Sequence, residues 1–160
     1  MTDPEDALTH LTPEGAVHMV DVSAKQATMR RAVAEASVLT RPDVVQLVKA
    51  GRLPKGEVLG VARVAGIMAA KRTWELVPLC HPLPLTGVTV DLAAEGERIA
   101  IRAEVKTVGV TGVEMEALTA ASVAALTVYD MIKGVDKSAV ISQLRVLEKD
   151  GGKSGEWRAV

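Results

Sequence analysis

The chain is poor in the residues that usually give a fold its bulk or its covalent staples. It has no phenylalanine, aromatic residues make up only 2% of it, and there is a single cysteine. One thiol excludes an internal disulfide framework and a cysteine-rich metal knuckle. The near absence of aromatics means that a core must be assembled from Val, Ala, Leu, Ile and Met, which belong to a hydrophobic share of 48%. No surplus of either charge exists, with 19 basic against 20 acidic residues, a net charge of −1 and an isoelectric point near 6.3. That balance excludes a general electrostatic attraction to nucleic acid or an anionic membrane, so any anion must be bound locally. No run approaches the roughly 18 charge-free apolar residues of a membrane span. The opening MTDPEDALTH lacks the basic and then apolar layout of a secretory signal. The expected setting is cytoplasmic. A mean hydropathy of +0.20 on so much small apolar surface also predicts burial between subunits.

The length of 160 residues suits one domain. Residues 1–16, rich in Thr, Pro, Glu and Asp, read as a flexible arm, residues 17–150 as a single domain and residues 151–160 as a flexible glycine-rich tail. Ala32, Ala34, Ala36 and Val38 alternate with Arg31, Glu35 and Ser37, the period of a half-buried strand over 30–40. Pro42 opens a short helix that ends at Gly51. The segment 57–74 predicts a longer one, in which Gly60 and Gly66 admit a close neighbour. Two alternating runs about the Glu95-Gly96-Glu97 turn predict a hairpin, and 111–135 a long apolar helix. Residues 139–147 predict a last strand. The order β, two helices, β, β, α, β predicts an α+β, ferredoxin-like split βαβ fold, with an antiparallel sheet and helices on one face.

Chemistry-bearing residues fall in a few clusters. In LVPLCHPLPL the lone Cys80 adjoins His81, but neighbours on an extended segment point to opposite faces and cannot easily act as one metal or nucleophile pair. His81, stiffened by Pro82 and Pro84, is then either a proton-transfer or anion-binding group or a histidine packed in a turn. Thr111 and Glu114 fit a capping box, which leaves Glu116 without a structural explanation. Asp130 and Lys133 share a helix face, either as an ordinary pair worth about 0.3 to 0.5 kcal/mol or as a carboxylate tuning an amine. Lys55 precedes a helix N-terminus, a place suited to anions. GGKSG lacks the first glycine of a phosphate-binding P-loop, since Leu147 stands there, but its lysines suit a basic flap.

Taken together, HMVDVSAK, KRTWELVPLCHPLPL, KTVGVTGVEMEALTAASVAALTVYDMIKGVDK and GGKSG closely resemble the MoaC family, the cyclic pyranopterin monophosphate synthases of molybdenum cofactor biosynthesis. The resemblance implies a lyase. It rearranges (8S)-3',8-cyclo-7,8-dihydroguanosine 5'-triphosphate, supplied by a radical enzyme upstream, to cyclic pyranopterin monophosphate and pyrophosphate. It implies a homohexamer, a trimer of dimers, with sites at dimer interfaces, and it implies no metal site and no required cofactor beyond Mg2+ accompanying the triphosphate. Lys55, His81, Asp130 and Lys133 match the family's catalytic set, and Glu114 and Glu116 its pocket carboxylates. Asp21, Lys25 and Arg30 match its early polar segment, and Lys149 and Lys153 its phosphate side, while Leu79, Cys80 and Met115 complete the pocket wall. Such a shared pocket predicts Lys55 and Lys133 to come from different chains. Two rival readings are a non-catalytic ferredoxin-like module binding a small ligand and a metal-dependent hydrolase using His81, Glu114 and Glu116.

Overall fold

The computed structural model describes residues 10–160, so the part of the expected arm that precedes His10 lies outside the described residues. Residues 10–17 make a turn closed by a bridge between Leu11 and Val17. Strand β1 (Thr28–Leu39) leads to helices α1 (Pro42–Lys49), α2 (Val58–Ala70) and the single turn α3 (Thr73–Leu76). The hairpin β2 (Leu85–Glu95) and β3 (Arg98–Gly109) follows, then α4 (Glu114–Ile132), β4 (Val140–Asp150) and the two-residue β5 (Trp157–Arg158). All pairings are antiparallel and the strand order is β2-β3-β1-β4-β5. Its first four strands have the ferredoxin-like order predicted above.

The central place of β1 explains its alanines. Strand β1 packs on α4, and Ala32, Ala34 and Ala36 are buried, as are Ala117, Ala120, Ala121 and Ala124 of the helix. Small side chains on both surfaces let the helix sit close to the sheet, so a core without large aromatics still fills its volume. Gly66 does what the sequence suggests: a Cβ there would lie 2.9 Å from the Ala120 carbonyl oxygen of α4. Gly60 serves a different purpose, leaving room for Glu57, whose carboxylate caps α2 through the N–H groups of Leu59 and Gly60.

The other sheet face carries charge. Arg31 donates to Glu104, Glu148 and Asp150, and Arg102 and Arg158 also reach Glu148. Helix α4 is long and apolar enough by composition to cross a bilayer, yet here it packs against α2 and three strands as the core helix. Two expectations about the ends need correction. The helix expected over 57–74 stops at Ala70 and resumes as α3, and the tail expected to be irregular turns at Gly151–Gly155 and returns to pair Trp157 with Lys149. Glycines at positive φ make that reversal, which a composition reading takes only as absence of structure.

Candidate active site

The proline-bounded segment after α3 is fixed at both ends. The Cys80 N–H donates to the Val77 carbonyl, and the Thr107 hydroxyl donates to the Pro84 carbonyl at 2.6 Å. Between these anchors His81 lines a cavity of about 350 Å³, together with Val20, Lys25, Leu79, Cys80, Thr111, Glu114, Met115 and Glu116. The His81 ring is half-buried, and its Nε2 lies 2.7 Å from the Val20 carbonyl oxygen.

Helix α4 brings Glu114 and Glu116 to this cavity with its first turn. Glu116 is only 4% exposed, and burial, reinforced by the charge of Glu114, pushes its carboxyl up to about 7. A group that titrates there can both give and accept a proton near neutral pH. Cys80 is affected in the opposite functional sense: burial, and then the charge of Glu116, raise its thiol, which makes it a poor nucleophile. The expected capping box between Thr111 and Glu114 does not form. The helix starts two residues later, with Val113 at the cap and no side-chain cap bond, so Glu114 stands at the first helical position. Its carboxylate folds over Gly112, where a Cβ would meet Glu114 Oε2 at 2.0 Å, and ion-pairs with Lys149 at 3.4 Å.

A wider groove of about 1100 Å³ continues from the cavity, sharing Lys25, Thr111, Gly112 and Glu114 with it. Arg30, Lys149 and Lys153 line this groove. Arg30 donates from Nε to the Gly109 carbonyl and from Nη2 to the Val110 carbonyl, which ties its guanidinium to the loop before α4. Lys149 donates to the Ser154 hydroxyl. The paired glycines allow this approach, because a Cβ on Gly152 would meet Arg30 Nη1 at 2.2 Å. The groove is therefore a cationic trough joined to an acid/base chamber. Asp21 stands beside the chamber rather than in its lining, accepting from the Ser23 N–H at 2.9 Å.

Lys55, Asp130 and Lys133 meet elsewhere. Lys55 Nζ donates to the Asp130 carboxylate at 2.9 Å and to its carbonyl at 3.0 Å, and Lys133 Nζ lies 2.8 Å from the other carboxylate oxygen. Lys133 first, and then Lys55, hold the Asp130 carboxyl down at about 2, and Asp130 in turn raises the Lys133 amine. Lys55 and Lys133 thus act on one carboxylate of one chain, which overturns the expectation that they come from different chains. Sequence distance misleads here, because α2 and α4 pack side by side. The polar Ser122 and Thr127 of α4 have a structural use, each hydroxyl donating to the carbonyl four residues back.

The two clusters occupy opposite ends of α4. Glu114 and Asp130 are separated by 16 residues of continuous helix, which places them roughly 24 Å apart along its axis. Sequence reasoning missed several participants. Val20 acts through its backbone, which leaves no mark in a side-chain pattern, and Ser154 reads as spacing between lysines. Among the described residues no group of three or more His, Cys, Asp or Glu converges as metal ligands.

Residues 19–152 match the MoaC family. The chain is 63% identical over 150 residues to a protein of Corynebacterium efficiens named cyclic pyranopterin monophosphate synthase, an alignment covering 94% of this chain and 97% of that one. A Corynebacterium glutamicum protein of the same name is 61% identical over 94% of this chain and 96% of its own. One from Streptomyces coelicolor, also so named, is 57% identical over 97% and 91%.

Proposed function

The chain belongs to the MoaC family, and from that premise we propose that it is a lyase of molybdenum cofactor biosynthesis. It converts (8S)-3',8-cyclo-7,8-dihydroguanosine 5'-triphosphate to cyclic pyranopterin monophosphate and pyrophosphate. The observation that carries the reading is the joining of a chamber holding His81, Glu114 and Glu116 to a groove lined by Arg30, Lys149 and Lys153. Opening a dihydropurine, closing a pyran and forming a cyclic phosphate move several protons on one polyanion. Side chains that titrate near neutrality suit the first task, and fixed cations offset charge building on the departing pyrophosphate. No resident cofactor is part of this chemistry, and Mg2+ enters only with the triphosphate. A non-catalytic ligand module gives no reason to bury Glu116 beside Glu114.

The roughly 24 Å along α4 keeps Lys55, Asp130 and Lys133 away from their own chain's chamber. A site that uses both clusters needs two chains, each contributing one end of its α4. That arrangement supports a dimer with sites at its interface, and in our reading such dimers associate in threes as a cytoplasmic homohexamer. In it the Lys133 amine, raised by Asp130, serves as an ammonium that donates a proton or holds phosphate. The test is incubation of the purified chain with the cyclised dihydro-GTP. Pyrophosphate and the pterin product should appear together, and a correctly folded protein yielding neither would refute the assignment.

A further inference from the structure

The backbone at His81 has little freedom, since Pro82 follows it and the segment is anchored at Val77 and Thr107. Its Nε2 faces the Val20 carbonyl at 2.7 Å. A carbonyl only accepts, so Nε2 carries hydrogen whatever the charge on the ring. In the neutral ring that leaves Nδ1 bare. Among the described residues Nδ1 has no hydrogen-bond partner, and the one buried side-chain polar atom lacking a partner there is Asp150 Oδ1. Nδ1 is therefore neither bonded nor buried, in a ring that lines the cavity. The Val20 carbonyl belongs to the peptide that leads into the next turn, in which Asp21 Oδ1 accepts from both the N–H and the hydroxyl of Ser23.

Resting on the synthase reading, we propose that the Asp21–Ser23 turn is a positioning element for catalysis: through the Val20 carbonyl it holds His81 as the Nε2–H tautomer, making Nδ1 the proton acceptor of the chamber. The ring takes a proton from the substrate at Nδ1 to become imidazolium and returns it from the same nitrogen later, ending neutral. A neutral His81 cannot donate to a phosphate, because its one N–H is already given to Val20. The titratable groups around it are Asp21 and Lys25 from its partner segment, His10, Cys80 beside it, and Glu114 and Glu116 from α4. Asp21 is held ionised chiefly by Ser23, with a smaller share from His81, and it favours the imidazolium once formed.

The experiment is a ring-¹⁵N histidine spectrum of the full chain at pH 8, which contains three histidines, with the His81 signals identified by their loss in His81→Gln. His81 should carry its proton on Nε2. In Ser23→Ala the Nδ1–H form should gain population, and kcat should fall by about tenfold with KM within about twofold. Ser23→Thr, which keeps the hydroxyl, should restore both. A wild-type spectrum dominated by Nδ1–H overturns the inference while substrate turnover leaves the synthase reading standing, and a folded Ser23→Ala protein with normal kcat also overturns it. Absence of wild-type turnover removes the synthase reading and the proton transfer built on it, whatever the spectrum shows.

Discussion

Two inactive variants should repair each other when they are damaged at opposite ends of α4, and should fail to do so when damaged at the same end. His81→Gln removes the imidazole from the chamber, and Lys133→Ala removes an ammonium at the other end of the helix, where Asp130 lies roughly 24 Å from Glu114 along the axis. If each site takes its chamber from one chain and its Lys55, Asp130 and Lys133 from another, free reassortment at equal amounts gives each half an even chance of being intact. About one quarter of wild-type activity should return. The control follows from the geometry at Asp130, which both lysines contact in the same chain. Mixing Lys55→Ala with Lys133→Ala leaves every three-residue cluster short of one ammonium, so turnover should stay at the level of the single variants. Exchange is verified by native mass measurement of tagged and untagged chains, and turnover by pyrophosphate release. Recovery in the second mixture, or none in the first with exchange complete, refutes the two-chain site.

Lys133→Ala should lose about 10² to 10⁴ in turnover, whereas near-normal turnover by Lys133→Arg, which keeps charge but releases no proton, would limit the residue to holding phosphate. Glu116, raised from 4.5 to about 7, binds a proton in the folded chain that the unfolded chain has lost, so stability should fall as pH rises through that window. The cost of ionisation is up to about 3 kcal/mol, so Glu116→Gln should flatten the pH dependence of denaturant melts between pH 5 and 8 and be the more stable protein at pH 8. Equal slopes for the two proteins would contradict the raised carboxyl. Gly66→Ala gains about 1 kcal/mol of helix propensity but places a Cβ 2.9 Å from the Ala120 carbonyl. That overpacking costs about 1 to 3 kcal/mol, so a lower melting temperature is expected and a higher one would show that α2 can move away.

The fold was legible where periodicity and burial agree. The alternation of β1 and of the hairpin buries the face that the pattern predicts, and the small residues of α4 form its buried side, although Met115 at its start is exposed. What the pattern could not show were features set by a few residues meeting across the fold. The sequence Thr111 to Glu114 satisfies the spacing of a capping box, yet the helix begins at Glu114, and that carboxylate pairs instead with Lys149, distant in sequence and adjacent in space. The glycines after Asp150 looked like slack, yet their positive φ values turn the chain back so that Trp157 pairs with Lys149. Lys55 and Lys133 show the same limit at the site itself. They are 78 positions apart by number, and only the packing of α2 on α4 puts both on Asp130. Residue types therefore indicated the chemistry of a polyanion and its protons, while the allocation of that chemistry between two ends of one helix is a property of tertiary packing. That allocation turns a list of candidate residues into an argument for a second chain, since neither end of α4 holds the whole set.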